Sequence, residues 1–250
     1  MDRNKTGSFF AGLSAGVSAV TWSVLHPMTG LQTLVIFAAV AAVQFLPWER
    51  WLRGRILLIM IGTGMSVGGG IDLLDVSFDS ISRYTFWTAW IIFTVLLCYI
   101  GEKPLYKCGV VLGLMSLAFV LFSFFGVLVN DGNIEWMGGS WRHVAGGILT
   151  LTGLSLTGRE LACDKCAARR GILCGLVIWG VAAFLPLILW SREALEVIKL
   201  PLLSSWQRLG WLSPNVLLTS LCALLSLWQS SGGFLLIYKY IKSNFFTKRI

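Results

Sequence analysis

A chain of 250 residues that is 56% hydrophobic and only 13% charged falls well short of the roughly 25% charged residues of an ordinary soluble domain, and cannot clothe a water-soluble globule. The net charge of +8 would need a folded soluble domain to carry a nucleic-acid-binding face; none is in view, and no nucleic-acid partner is expected. The six cysteines, Cys98, Cys108, Cys163, Cys166, Cys174 and Cys222, are scattered over apolar runs and the segments between them. They do not read as a secreted disulfide framework.

Met1 to Thr6 is polar and charged, and no small-residue cleavage site follows the first apolar run, so that run is expected to be a retained span. Apolar stretches of about 18 to 24 residues recur from there to the end, the length needed to cross a hydrocarbon core ~30 Å thick. In lipid such runs must be helical, because only a helix satisfies its own backbone there. Val110 to Val129 shows no period-two alternation, which excludes a β-barrel. The expected fold is therefore all-α, a polytopic helical membrane protein forming one domain over residues 1–250. Spans are expected at 8–25, 29–46, 56–75, 86–101, 109–129, 144–158, 171–190 and 215–238. Ser191 to Pro214 is too charged to span and reads as an outer loop lying partly along the membrane surface.

The segments between spans divide the charge. With the amino end in the cytoplasm, the inner segments hold Arg3, Lys5, Arg50, Arg53, Arg55, Lys103, Lys107, Arg159, Lys165, Arg169, Arg170, Lys239, Lys242, Lys248 and Arg249, which is 15 of the 20 basic residues. The outer segments hold the other 5 and 7 of the 12 acids, giving +10 inside and −2 outside. Lys and Arg favour the cytoplasmic side, so both termini are expected in the cytoplasm of a multi-pass cell-membrane protein. Trp48, Trp51, Trp87, Trp136, Trp141, Trp190, Trp206 and Trp211 fall near the proposed interfaces, where an amphipathic ring is favoured.

Three spans carry polar or small residues that need a reason. In the third, Gly62, Ser66 and Gly70 recur four apart, as do Gly64 and Gly68, with Gly69 beside them. Such spacing permits close helix packing; it also suits a helix unwound around a substrate, which membrane depth allows only beside a cavity. The sixth span has Gly146, Gly147, Thr150, Thr152, Gly153, Ser155, Thr157 and Gly158. Short, glycine-interrupted segments point to transporter sites because a broken helix offers free amides and carbonyls, so an interruption is expected here. The candidate ligand-binding residues are Gly64, Ser66, Gly68 and Gly69 with Thr150, Thr152, Gly153 and Ser155. The eighth span has a similar patch, Gln229 to Gly233, read as packing.

Asp72 and Asp75, three apart, can bind a cation or act as an acid-base pair, but their place at the outer end of the third span reads as a solvated helix end. No ionisable residue lies near the middle of a span, which argues against a proton relay. Cys163-Asp-Lys-Cys166 is a CxxC without a second ligand pair, and neither HExxH nor a phosphate loop occurs. No metal, no cofactor and no enzymatic activity are expected.

Four stretches carry a resemblance. Trp87-Thr-Ala-Trp-Ile-Ile through Tyr99-Ile-Gly-Glu-Lys-Pro-Leu-Tyr-Lys-Cys-Gly, Leu156-Thr-Gly-Arg-Glu160, Lys199-Leu-Pro-Leu-Leu, and Leu227-Trp228-Gln through Leu236-Ile-Tyr238 resemble the permease-like B subunit of spore germinant receptors, a branch of the amino acid/polyamine/organocation transporter superfamily. The resemblance covers about residues 30–240. Eight spans are counted here against ten in that family, and Pro214 to Ser220 and Gly232-Gly233 stand where it has arginine and lysine. The resemblance implies an inverted-repeat transporter fold, recognition of an amino acid, and assembly with other membrane receptor subunits and a lipoprotein in the spore inner membrane.

Two functions remain open. In one, the chain recognises a small polar metabolite, such as an amino acid, through spans three and six, as a transport or receptor subunit within the lipid bilayer. In the other it is a non-transporting scaffold or assembly subunit with no ligand, its glycine-rich faces serving helix packing alone.

Overall fold

The computed structural model describes residues 3–26, 28–48, 50–78, 81–129, 141–189, 202, 204, 205 and 214–246, with the backbone alone at 3, 119–129, 185–189, 214–216, 245 and 246. The chain is an all-α helical membrane protein. Its helices are α1 (Arg3–Val17), α2 (Ala19–Leu25), α3 (Gly30–Val43), α4 (Leu52–Ser77), α5 (Arg83–Ile100), α6 (Glu102–Val129), α7 (Trp141–Leu161), α8 (Lys165–Leu189) and α9 (Pro214–Ile241), ending in a π-helical turn, Lys242–Phe246. Taking α1 and α2 as one element, a helix lies at each of the eight places where a span is expected. The expected outer loop from Ser191 to Pro214, and with it Trp190, Trp206 and Trp211, lies almost wholly outside the described residues, as do Asp131, Glu135 and Trp136.

Among the described residues, five helical stretches are long and apolar enough to cross a membrane: Asn4–Leu25, Leu52–Ser77, Arg83–Ile100, Lys165–Phe184 and Leu217–Asn244. The other three differ for separate reasons. The 14 residues of α3 reach only ~21 Å at 1.5 Å per residue, short of a full crossing. With 28 residues, α6 has ample length. The 21 residues of α7 also suffice, but its hydroxyls and glycines lower its apolarity.

That polarity explains where α7 sits. Every residue from Thr150 to Gly158 is buried, because α1, α3, α4, α8 and α9 all pack around it. A helix buried on all sides need not present an apolar face to lipid. The α1–α2 element is the second enclosed helix, with 83% of its apolar window buried against 11% for α5. Two interior helices are thus ringed by the others.

Backbone contact holds this interior together. A Cβ on Gly62 would lie 2.9 Å from Gly153 Cα, and one on Gly153 would strike the carbonyl of Leu58, so α4 and α7 cross with nothing between them. The same device joins α1 to α8: a Cβ on Gly16 would lie 2.8 Å from Gly175 Cα, and one on Gly12 would lie 2.8 Å from Ala168 Cα. Between α5 and α6 the chain turns at Gly101, whose φ of +96° is open to glycine at no steric cost.

The expected interruption of the sixth span is not found, and the third is not unwound: α4 and α7 are each continuous. Their hydroxyls supply the reason. Thr150, Ser155 and Thr157 donate to the carbonyls of Gly146, Thr152 and Gly153 at 2.7, 2.8 and 3.0 Å, so these side chains are satisfied within the helix rather than by opening it. The discontinuity lies instead in the first span. Thr21 N donates to Ser18 O, three residues back, at 3.2 Å, and the Ser18 hydroxyl takes the Ala15 carbonyl at 2.6 Å, which tightens and bends the helix between α1 and α2.

The segments assigned to the inner side gather at one end of the bundle. Tyr106 at the start of α6 meets the start of α1 through Asn4, Lys239 at the end of α9 pairs with Glu102, and Arg55 reaches Glu160. At the opposite end His26 meets His143, Arg83 pairs with Asp72, and Ser77 lies 3.3 Å from Thr219. The bundle therefore has a basic end and a second end that holds Asp72 and Asp75.

Candidate functional site

At the α1–α2 bend, α1, α2, α4 and α9 turn hydroxyls and carboxamides toward one another. Ser14, Ser18 and Thr21 fall at intervals of four and three, one face of a helix, and are 0%, 2% and 6% exposed. From α9, Ser226 meets Thr21 and Gln229 meets Ser18, α4 adds Ser66, and the Ser14 hydroxyl is held by the Gly109 carbonyl of α6. Gln229 Nε2 donates to Ser18 Oγ, Ser226 Oγ to Thr21 Oγ1, and Thr21 Oγ1 to the Cys222 carbonyl, each at 3.4 Å. These contacts are long beside the 2.7–2.8 Å usual for O–H···O. Ser66 Oγ donates to the Ser226 carbonyl at a normal 3.0 Å.

Within this polar seam Gln229 is fully buried, and its Oε1 has no hydrogen-bond partner among the described residues. An acceptor so placed carries a desolvation cost of about 1–3 kcal/mol unless something donates to it. No carboxylate, ammonium or guanidinium is among the seam residues named, so the seam suits a neutral or zwitterionic guest held by hydroxyl and amide groups.

A second polar cluster lies between α3 and α7. Gln44 Nε2 donates to Ser155 Oγ at 2.8 Å and to the Val40 carbonyl at 3.3 Å, and the buried Gln44 Oε1 and Thr152 Oγ1 are both without partners. One turn further along α7, Arg159 donates to the Gln44 carbonyl at 3.3 Å.

The eight residues expected to bind a ligand do not form one group. Ser66 belongs to the seam, and Thr152 and Ser155 belong to the second cluster. Thr150 bonds back to Gly146, and Gly153 is consumed by the crossing with Gly62. Gly69 faces Leu25, while a Cβ on Gly64 or Gly68 would meet nothing within 4 Å. Sequence reasoning missed Ser18, Thr21 and Ser226 and read Gln229 as packing. The visible signal was the spacing of Ser14, Ser18 and Thr21 along one face of the first span.

Three tryptophans brace the seam. Trp90 packs on Gly70 and donates to Ser230 Oγ at 3.2 Å, Trp228 packs on Gly109 and donates to the Leu105 carbonyl at 2.8 Å, and Trp179 donates to Ser23 Oγ. Buried indole N–H groups need such partners. Trp51, Trp87 and Trp141 are exposed, as an interfacial role requires, whereas Trp48 is buried and donates to the Val43 carbonyl.

Beyond the other end of α2, the His26 ring stacks on His143 at 4.8 Å and tilts against Trp22 at 4.3 Å. Burial, and then the neighbouring His143, lower the His26 pKa, while Asp72 acts in the opposite sense. Asp72 and Asp75 share Arg83, all three partly exposed. Cys163 and Cys166 are exposed free thiols, and Asp164 between them accepts from the amides of Cys166 and Ala167 at 2.9 Å, capping the start of α8. Among the described residues no group of His, Cys, Asp and Glu is arranged to hold a metal ion. Compared with known proteins, the sequence matches no family model and no curated protein.

Proposed function

We propose that this chain is an eight-span, permease-like membrane subunit that recognises a small polar metabolite of the amino acid class at the seam between α1, α2, α4 and α9. The observation that carries the reading is Gln229, fully buried with an unpartnered carbonyl oxygen among hydroxyl contacts stretched to 3.4 Å. A zwitterion's ammonium can donate to that oxygen, and the seam hydroxyls can donate to its carboxylate. The basic end is assigned to the cytoplasm because Lys and Arg favour that side, which puts both termini there. The resemblance to germinant-receptor permease subunits supplies the wider role: a receptor or transport subunit working beside other membrane subunits and a lipoprotein.

Calorimetric titration of the purified chain with the twenty common amino acids tests the reading. At least one should bind, and Gln229→Leu, which keeps the bulk and removes the carboxamide, should weaken it about ten- to a hundredfold, the scale of a buried hydrogen bond to a charged group. Absence of binding heat from a folded wild-type chain would sink it. The second reading, a scaffold without a ligand, is favoured by the direct backbone contact of Gly62 with Gly153, which leaves no room for a guest between α4 and α7. That reading expects Gln229→Leu to raise thermal stability and no amino acid to bind.

A further inference from the structure

At the basic end, cations from α4 and α8 converge on one carboxylate of α7. Glu160 pairs with Arg55 at 2.8 Å and with Lys165 at 3.6 Å. Arg159, its neighbour on α7, donates to the Gln44 carbonyl at 3.3 Å, and its Nε is buried without a partner. Arg169 on α8 lies over the Phe45 ring, 5.1 Å from its centroid. Asp164, four residues on from Glu160, is engaged with the amides that open α8. Arg159 and Arg169 therefore face no carboxylate among the described residues. Phe45, Leu46, Trp51 and Leu52 beside them are 65%, 49%, 67% and 41% exposed.

We propose that this surface, between the α3–α4 and α7–α8 turns, binds the phosphate headgroup of an anionic phospholipid. Arg159 and Arg169 present planar, multidentate donors suited to a phosphodiester. The excess cations attract an anionic leaflet. Phe45, Leu46 and Trp51 supply the apolar and interfacial surface that an acyl chain and glycerol backbone require, which free phosphate would leave unused. The combination fits an amphiphile rather than a soluble anion.

The test uses the full chain in zwitterionic detergent micelles, with lipid binding followed by native mass spectrometry and by thermal shift. Short-chain phosphatidylglycerol should bind in preference to phosphatidylcholine, and inorganic phosphate at the same concentration should neither displace it nor reproduce the shift. Arg159→Gln with Arg169→Gln should weaken phosphatidylglycerol binding about thirtyfold, roughly fivefold for each cation removed. Lys103→Gln with Lys107→Gln makes the same charge change at exposed positions on α6 and should leave binding within about twofold, because neither lysine belongs to the group around Glu160 that would hold the headgroup. Should the first double variant fail to fold, Arg169→Gln alone should still lose about fivefold, since Arg169 lies over the Phe45 ring and pairs with no carboxylate among the described residues. Equal losses in the α6 variant, unchanged affinity in the folded Arg169 variant, or displacement by inorganic phosphate would each overturn the proposal.

Discussion

Gly153 and Gly64 are the same residue in opposite circumstances. A methyl group on Gly153 would run into the Leu58 carbonyl and the Gly62 backbone, whereas one on Gly64 would meet nothing within 4 Å. Gly153→Ala should therefore lower the melting temperature in detergent, with an overpacking cost of about 1–3 kcal/mol. Gly64→Ala should leave the melting temperature unchanged or raise it, with a helix-propensity gain of up to about 1 kcal/mol. Equal effects from the two would show that α4 and α7 are not in backbone contact. The sequence shows small residues four apart on two faces of α4 without saying which face turns inward. Gly62 and Gly70 do, and Gly64 and Gly68 do not, a distinction made by α5 and α7 and invisible in α4 itself.

At the scale of elements, α4 and α7 are joined a second time by Arg55 and Glu160, whose side chains are only 14% and 16% exposed. Removing one partner of a nearly buried pair strands the other's charge, so Glu160→Gln should destabilise the bundle by about 3 kcal/mol. Arg55→Met combined with Glu160→Gln should recover much of that loss, and additive losses in a thermal double-mutant cycle would rule the coupling out. Spans were legible because lipid imposes length and apolarity on each helix separately. The enclosure of α7 was legible in part, since its eight glycines and hydroxyls between Gly146 and Gly158 could not face lipid. Their use was not: sequence reasoning gave these residues to a broken helix, while back-bonding hydroxyls keep it whole. The packing of Gly12 and Gly16 on α8 depends on a partner more than 150 residues away, which no local pattern records.

For the whole molecule, the two ends behave differently. Cys163 and Cys166 are exposed at the basic end, so with that end in the cytoplasm a membrane-impermeant maleimide should modify them only after cells are permeabilised; labelling in intact cells would invert the assignment. The opposite end should respond to pH through His26, whose stacking on His143 ties the end of α2 to the start of α7 and so links the two enclosed helices. His26 has its pKa lowered from 6.5, chiefly by burial and next by His143, against the raising influence of Asp72, which is itself paired with Arg83. The folded chain thus binds this proton less readily than the unfolded chain, whose histidine titrates near 6.5. The contribution to stability is complete above that pH and is lost as pH falls from 6.5 through the folded pKa. Between pH 7 and pH 5 the melting temperature should fall. His26→Gln should flatten that part of the profile, His143→Gln should lessen its slope by removing one of the two lowering influences, and Asp72→Asn should steepen it by removing the opposing charge. A wild-type profile with the same slope as His26→Gln would show that this end of the bundle does not sense protons through His26.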